Sequence, residues 1–360
     1  MRIGINASLL AAGGGYRRTG VSRYIGELID ALEQQLAEAE RLTIMGRGVP
    51  AIASNPSLRI AWEQTGLPLS GLAHRLNVFH GPLNVVPLAM RTPKVVTVHD
   101  LAFLRFPDQL PRARRAYMIA ATRLSARTAD RIIAVSQSTA DDLMHWLDLP
   151  QDRITVIPEA PSPRIQRVVG TSLNVFRMRF EVDRPYILAV GTLEPRKNLD
   201  FFLRVFASVA DRIPHELVLV GPEGWMTESF HQTLLELKLG DRIRLTGFVS
   251  DAELGGWYSG ADVFVFPSTY EGFGLPAVEA MTCGVPILAS DASCFPEVIG
   301  DAGMLVAPTD FEGWADALLR LVLDRDLNEA FRRQSREHGR TYSWDRTAAE
   351  TLAIYRELAA

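Results

Sequence analysis

The sequence predicts an α/β protein built on two doubly wound parallel sheets, and three observations carry that prediction. Short β-branched runs recur along the 360 residues, each followed by a longer stretch of helical period. Runs such as Val95-Val96-Thr97-Val98 and Val263-Phe264-Val265-Phe266 are apolar on both faces, as parallel strands covered by helices on either side must be. The pattern breaks over about 158–184, where Pro158, Pro161 and Pro163 cluster, and it restarts at Tyr186 much as it started at Met1.

Taken in order, the expected strands are 2–6, 42–45, 77–80, 94–99, 131–135 and 154–157 in the first half. Those of the second half are 186–190, 216–220, 242–246, 262–266 and 286–289. The proline-rich stretch, with no strand before Tyr186, reads as a linker. Two Rossmann-like domains facing across a cleft are expected, spanning 1–165 and 166–344. An amphipathic helix follows over 345–360, with Ser343 as its N-cap.

Composition narrows the class. Hydrophobic residues make up 47% and charged residues 22%, enough apolar material for two cores. The two cysteines, Cys283 and Cys294, have neither metal-ligand spacing nor disulfide-scaffold density, which predicts a reducing, cytoplasmic setting. The chain opens directly on a strand, so no signal peptide is expected, and no apolar run is long enough to span a membrane. The net charge of −4 divides unevenly: residues 1–165 hold 19 basic and 14 acidic side chains, the remainder 19 and 28. A basic first half fits an anionic partner, or is ordinary scatter of surface charge. A net-acidic chain without clustered basic and aromatic motifs is not expected to bind nucleic acid.

Ligands of open parallel sheets sit at the carboxyl ends of strands. After 263–266 comes Glu271-Gly272-Phe273-Gly274-Leu275-Pro276, then Glu279. The glycines permit close ligand approach, and Pro276 opens a helix whose first amides, near Gly274 and Leu275, would face an anion. Glu279, one turn in, could accept hydrogen bonds from ribose hydroxyls, with Glu271 nearer a transferred sugar. Two glutamates eight apart also occur in ordinary Gly-Pro turns. After 186–190 come Arg196 and Lys197, suited to a diphosphate and to the charge on a leaving group, or simply a solvated basic turn. His99 ends the strand at 94–99, a place where a histidine is more often structural. The loop Gly13-Gly14-Gly15-Tyr16-Arg17-Arg18-Thr19-Gly20 has the position of a phosphate-binding loop but lacks the GxGxxG spacing, which counts against an NAD-dependent oxidoreductase.

These residues resemble the retaining glycosyltransferases of the GT-B fold, family 4. The most specific part is Glu271-x7-Glu279 within Tyr-Glu-Gly-Phe-Gly-Leu-Pro-x-x-Glu-Ala-Met; Gly191-x4-Arg196-Lys197-Asn198, Leu245-Thr246-Gly247-Phe248-Val249 and Val98-His99-Asp100 support it. The resemblance implies that Arg196 and Lys197 bind the donor pyrophosphate and Glu279 the ribose. It implies that Glu271 and the amides of Gly272, Phe273, Gly274 and Leu275 contact sugar and phosphate. His99 would line the acceptor side, in a first domain that binds acceptor, and Gly20 would approach the phosphate. The final helix would cross back to the first domain. Many members carry Gly-Gly where this chain has Thr19-Gly20.

The implied reaction is metal-independent, cofactor-free hexosyl transfer with retention, by front-face attack in which the leaving phosphate takes the acceptor proton. GDP-mannose is the expected donor, with UDP-sugars second, and a glycan or lipid-linked sugar the acceptor, in surface-polysaccharide assembly. A non-catalytic sugar-nucleotide-binding protein is the rival. The basic segment 112–131 is a candidate for peripheral contact with the inner face of the membrane, or a solvated helix face.

Overall fold

The computed structural model describes residues 1–10, 20–47 and 55–360. The glycine-rich stretch Gly13 to Thr19 lies outside the described residues. By its internal contacts the chain divides into two compact units, Met1–Ala160 with Ser343–Ala360, and Pro161–Tyr342. Residues 161–165, assigned above to the first domain, thus belong with the second unit, and the final helix with the first.

The first unit holds β1 (Arg2–Asn6), β2 (Arg41–Met45), β3 (Val78–Gly81), β4 (Lys94–Val98), β5 (Arg131–Ala134) and β6 (Ile154–Val156). All pair in parallel, in the order β2-β1-β3-β4-β5-β6. One face carries the helices Val21–Gln35 and Trp344–Ala359, which bury Tyr24, Leu28, Leu32, Leu352 and Tyr355 against Ile3, Ile5 and Val95. Each such aliphatic side chain withdrawn from water contributes roughly 1.5–3 kcal/mol. Phe79, Val96, Val98 and Ile132 form the core of the other face. Ser343 caps the last helix by accepting from the Arg346 amide at 3.2 Å.

The second unit holds β7 (Tyr186–Val190), β8 (Glu216–Val220), β9 (Ile243–Gly247), β10 (Val263–Phe266), β11 (Ile287–Ser290) and β12 (Gly303–Val306). These are also parallel, in the order β12-β11-β10-β7-β8-β9. Counted within the unit this is the 3-2-1-4-5-6 order of a dinucleotide-binding sheet, and it reverses direction between β7 and β10. Helices Leu199–Val209 and Phe311–Leu323 cover one face, with Phe202, Phe206, Trp314 and Leu318 fully buried at helical spacing.

Two elements depart from the sequence expectation. The supposed linker contains a helix, Thr171–Arg179, opened by Gly170 at φ 58°. It buries no residue completely, so its apolar period is weak; Phe176 and Phe180 nevertheless stack on Trp257 at 5.2 and 5.5 Å. A twelfth strand, β12, pairs with β11 at the sheet edge. It has only four residues, all half-buried, and so shows neither an alternating nor a fully apolar pattern.

Candidate active site

The reversal point of the second sheet lies between two adjacent strands, β7 and β10, whose following loops must turn apart. After β7 the chain closes a tight turn, Pro195–Lys197, and Asn198 takes a left-handed φ of 54° to start the next helix. After β10, Pro267 leads to the helix Leu275–Cys283, which has Pro276 in its first turn. Gly274 precedes that helix at φ 82°, a conformation costly for any residue with a Cβ, and an added Cβ would lie 3.0 Å from the Phe295 ring.

The two loops are tied together. The Thr269 amide donates to the Arg196 carbonyl at 2.9 Å, and Arg196 Nη1 donates to the Tyr270 carbonyl at 2.9 Å. That stitching brings Glu271 against both cations: Oε2 lies 2.6 Å from Arg196 Nη1, and Oε1 2.5 Å from Lys197 Nζ. Arg196 Nη2 also pairs with Glu194 at 2.7 Å. The backbone of Glu271 is pinned by Ser293, which accepts from its amide at 3.2 Å and donates to its carbonyl at 2.6 Å. Lys197 Nζ stands 5.1 Å from the centre of the Phe266 ring. A narrow cavity lined by Gly191, Lys197, Phe266 and Pro267 opens beside it.

Electrostatics fix the charges. Burial by itself would raise the Glu271 pKa, but the charges of Arg196 and Lys197 outweigh it and hold the carboxyl at about 2. Burial lowers the Lys197 pKa, with Glu271 opposing and Arg196 assisting. Two carboxylates and two cations thus form a near-neutral, largely buried cluster. An incoming diphosphate, with oxygens in place of the Glu271 carboxylate, would satisfy the same cations.

Of the residues singled out from sequence, Arg196, Lys197, Glu271, Gly272, Phe273, Gly274 and Leu275 fall on these two loops and the helix start. Phe273 is turned edge-on to Tyr342, with ring centres 5.6 Å apart. Glu279 lies on the same helix, but its carboxylate is buried and accepts from the Tyr258 hydroxyl at 2.9 Å. Glu194 and Ser293 were not anticipated. Both follow strands at their carboxyl ends, so the rule that found Arg196 and Glu271 would have found them.

His99 and Gly20 belong to the first unit. The His99 ring donates from Nε2 to the Pro82 carbonyl at 2.9 Å and meets Glu159 through Nδ1 at 2.7 Å. Burial disfavours the charged ring, but Glu159 overcomes this and the pKa is raised. With Nε2 committed to the Pro82 carbonyl and Nδ1 to Glu159, both ring nitrogens are engaged. No local pattern signals this, because Glu159 lies sixty positions away. Gly20 starts the helix Val21–Gln35 at φ 62°, and among the described residues a Cβ added there would meet nothing within 4 Å.

Residues 173–338 match the family described as Glycosyl transferases group 1, and residues 18–160 match Glycosyltransferase Family 4. The O-antigen chain mannosyltransferase B of Escherichia coli is 31% identical over 284 residues, 78% of this chain and 74% of that protein. Among solved structures, the sucrose-phosphate synthase of Thermosynechococcus elongatus superposes with a TM-score of 0.78 at 20% identity, over 99% of this chain and 98% of that one. Anabaena HepE in complex with UDP-glucose gives 0.72 at 18% identity, over 98% and 100%. With two matched family regions, this degree of kinship and two parallel six-stranded sheets of the GT-B type, the chain belongs to glycosyltransferase family 4 and is a hexosyltransferase.

Proposed function

We propose that the protein transfers a mannosyl group from GDP-mannose, with retention at the anomeric carbon, to a glycan or lipid-linked sugar during surface-polysaccharide assembly. The observation that carries this is the pair Arg196 and Lys197 held against Glu271 at the reversal point of the second sheet. The donor diphosphate takes the two cations, which stabilise charge as the bond from the anomeric carbon to phosphate breaks. The acceptor oxygen bonds to that carbon from the same face, and its proton passes to the leaving phosphate. Glu271 moves onto the sugar, and Glu279 exchanges its Tyr258 contact for the ribose. The Gly272 to Leu275 backbone and Gly20 approach the phosphate, and His99 lines the acceptor side. Two built-in cations at the phosphate make a divalent metal unnecessary in this scheme.

The mannosyl assignment draws on the Escherichia coli relative's name. HepE, which holds UDP-glucose, favours a UDP-sugar as the second reading. Thermal-shift measurements with GDP-, UDP-, ADP- and dTDP-sugars, each without metal, separate them. Stabilisation only by NAD, or only with added divalent ion, contradicts the scheme. Turnover of the stabilising donor distinguishes a transferase from a protein that merely binds it.

Membrane contact is part of the same proposal. The helix Arg112–Thr128 carries five arginines and no acidic residue, and it exposes Tyr117 and Leu124. Absence of flotation with anionic vesicles at moderate salt removes it. No helix among the described residues is long and apolar enough to cross a membrane.

A further inference from the structure

The first sheet also reverses direction once, between β1 and β3, and the carboxyl end of β1 carries a polar cluster that the donor chemistry leaves unused. Asn6, the last residue of β1, donates from Nδ2 to Glu63 Oε1 at 3.2 Å; its Oδ1 accepts from the Ser8 amide at 3.1 Å and the Ser8 hydroxyl at 2.5 Å. Glu63 is 5% exposed, yet among the described residues that long bond is its one hydrogen bond, and the nearest cation, Arg59, stands 4.0 Å away. A carboxylate accepts up to about four hydrogen bonds, so this one is under-coordinated for its burial. Burial raises its pKa against the pull of Arg59 and Asn6.

Two further features sit in the same corner. Glu63 lies in a five-residue π-turn, Trp62–Gly66, a rare geometry that recurs at functional sites. The neighbouring Trp62 Nε1 is buried and, among the described residues, has no acceptor. Gly46, just past β2, runs close beside it: a Cβ there would fall 2.5 Å from Ser8 Oγ and 3.0 Å from Trp62 Nε1, so only a glycine passes this near the indole N–H. A buried acceptor with spare capacity and a buried donor with no partner match a group that both donates and accepts.

We infer that Asn6, Trp62 and Glu63 form a subsite for the hydroxyls of a neutral sugar ring, on the acceptor. Glu63 takes a proton-donating hydroxyl and Trp62 Nε1 donates to a hydroxyl oxygen. This rests on the transfer reaction proposed above only in calling the bound sugar an acceptor.

The test uses the full chain with methyl α-mannopyranoside and methyl α-glucopyranoside as probes, their binding read by saturation-transfer NMR. The GDP-induced shift in melting temperature reports the second sheet independently and checks folding. Glu63→Gln keeps the shape and removes the charge; Trp62→Phe removes the indole N–H. The subsite predicts that each variant weakens binding of the better probe by about tenfold or more, with the GDP shift unchanged. Equal probe binding by wild type and both variants overturns it, and so does failure of both probes to bind the wild type. Glu63-dependent probe binding in a protein that turns over no nucleotide sugar would sink the transfer proposal and leave the subsite standing.

Discussion

Glu271 Oε1 lies 2.5 Å from Lys197 Nζ, although 74 residues separate them and they follow different strands. The contact exists because β7 and β10 are neighbours at the point where the sheet order reverses. It makes the Glu271 charge a structural element as well as a candidate catalytic one.

Removing that charge has a predictable cost. Glu271→Gln takes away the carboxylate that Lys197 meets while Arg196 keeps its pair with Glu194, and breaking a buried pair this way costs about 3–5 kcal/mol. The melting temperature should therefore fall, while GDP should restore a larger share of it than in wild type, since the diphosphate supplies the lost anion. The Glu271 carboxyl is depressed from 4.5 to about 2 in the folded state, so its stabilisation is present above pH 4.5 and is lost as pH falls toward 2. Acid titration monitored by circular dichroism should show a shallower loss over that window for Glu271→Gln.

The two buried histidines of the first unit should titrate stability in opposite directions. His80 bonds to Tyr355 and Thr97, and burial, with His99 adding to it, holds its pKa at about 3. A folded value below the unfolded 6.5 means stability is full above pH 6.5 and declines below it, by about 2 kcal/mol at pH 5. For His99 the folded value is raised, so its contribution is full below pH 6.5 and is lost as pH rises through the folded value. Chemical denaturation at pH 5 and 8 checks both. His80→Asn should flatten the acid-side decline, whereas His99→Gln should cost more at pH 5 than at pH 8.

Gly274→Ala should cost roughly 1–2 kcal/mol from the positive φ alone, and more from the approach to Phe295. Since the same residue starts the helix expected to face the phosphate, GDP affinity should fall as well. Differential scanning calorimetry with and without GDP measures the two effects. An alanine variant as stable and as tight-binding as wild type would refute both.

Glu279→Gln discriminates a ribose contact from a purely structural bond to Tyr258. A ribose contact predicts GDP binding weakened about tenfold, with pyrophosphate binding unchanged. Isothermal titration with the two ligands settles it: equal losses, or none, leave Glu279 without a role toward the ribose.

Much of the fold was legible because buried parallel strands advertise themselves. Val95 to Val98 and Val263 to Phe266 have no polar face, and their chemistry-bearing neighbours follow at the carboxyl ends. The segment from Glu271 to Glu279 was legible through its Gly-Pro helix start. What stayed hidden depends on contacts distant in sequence or on weak periodicity. β12 is an edge strand without alternation, and the helix Thr171–Arg179 buries little. The commitment of His99 to Glu159 and the meeting of Asn6 with Glu63 across 57 residues both follow from topology. No local pattern encodes them.

In the proposed transfer reaction Arg196 and Lys197 serve the diphosphate of a nucleotide sugar. The most direct measurement is GDP release from GDP-mannose, without divalent metal and with methyl α-mannopyranoside as acceptor, for wild type and Lys197→Ala. The account predicts acceptor-dependent release by wild type, reduced at least a hundredfold in Lys197→Ala, an effect of the size seen when one group stabilising transition-state charge is removed. Equal rates for the two proteins would contradict it.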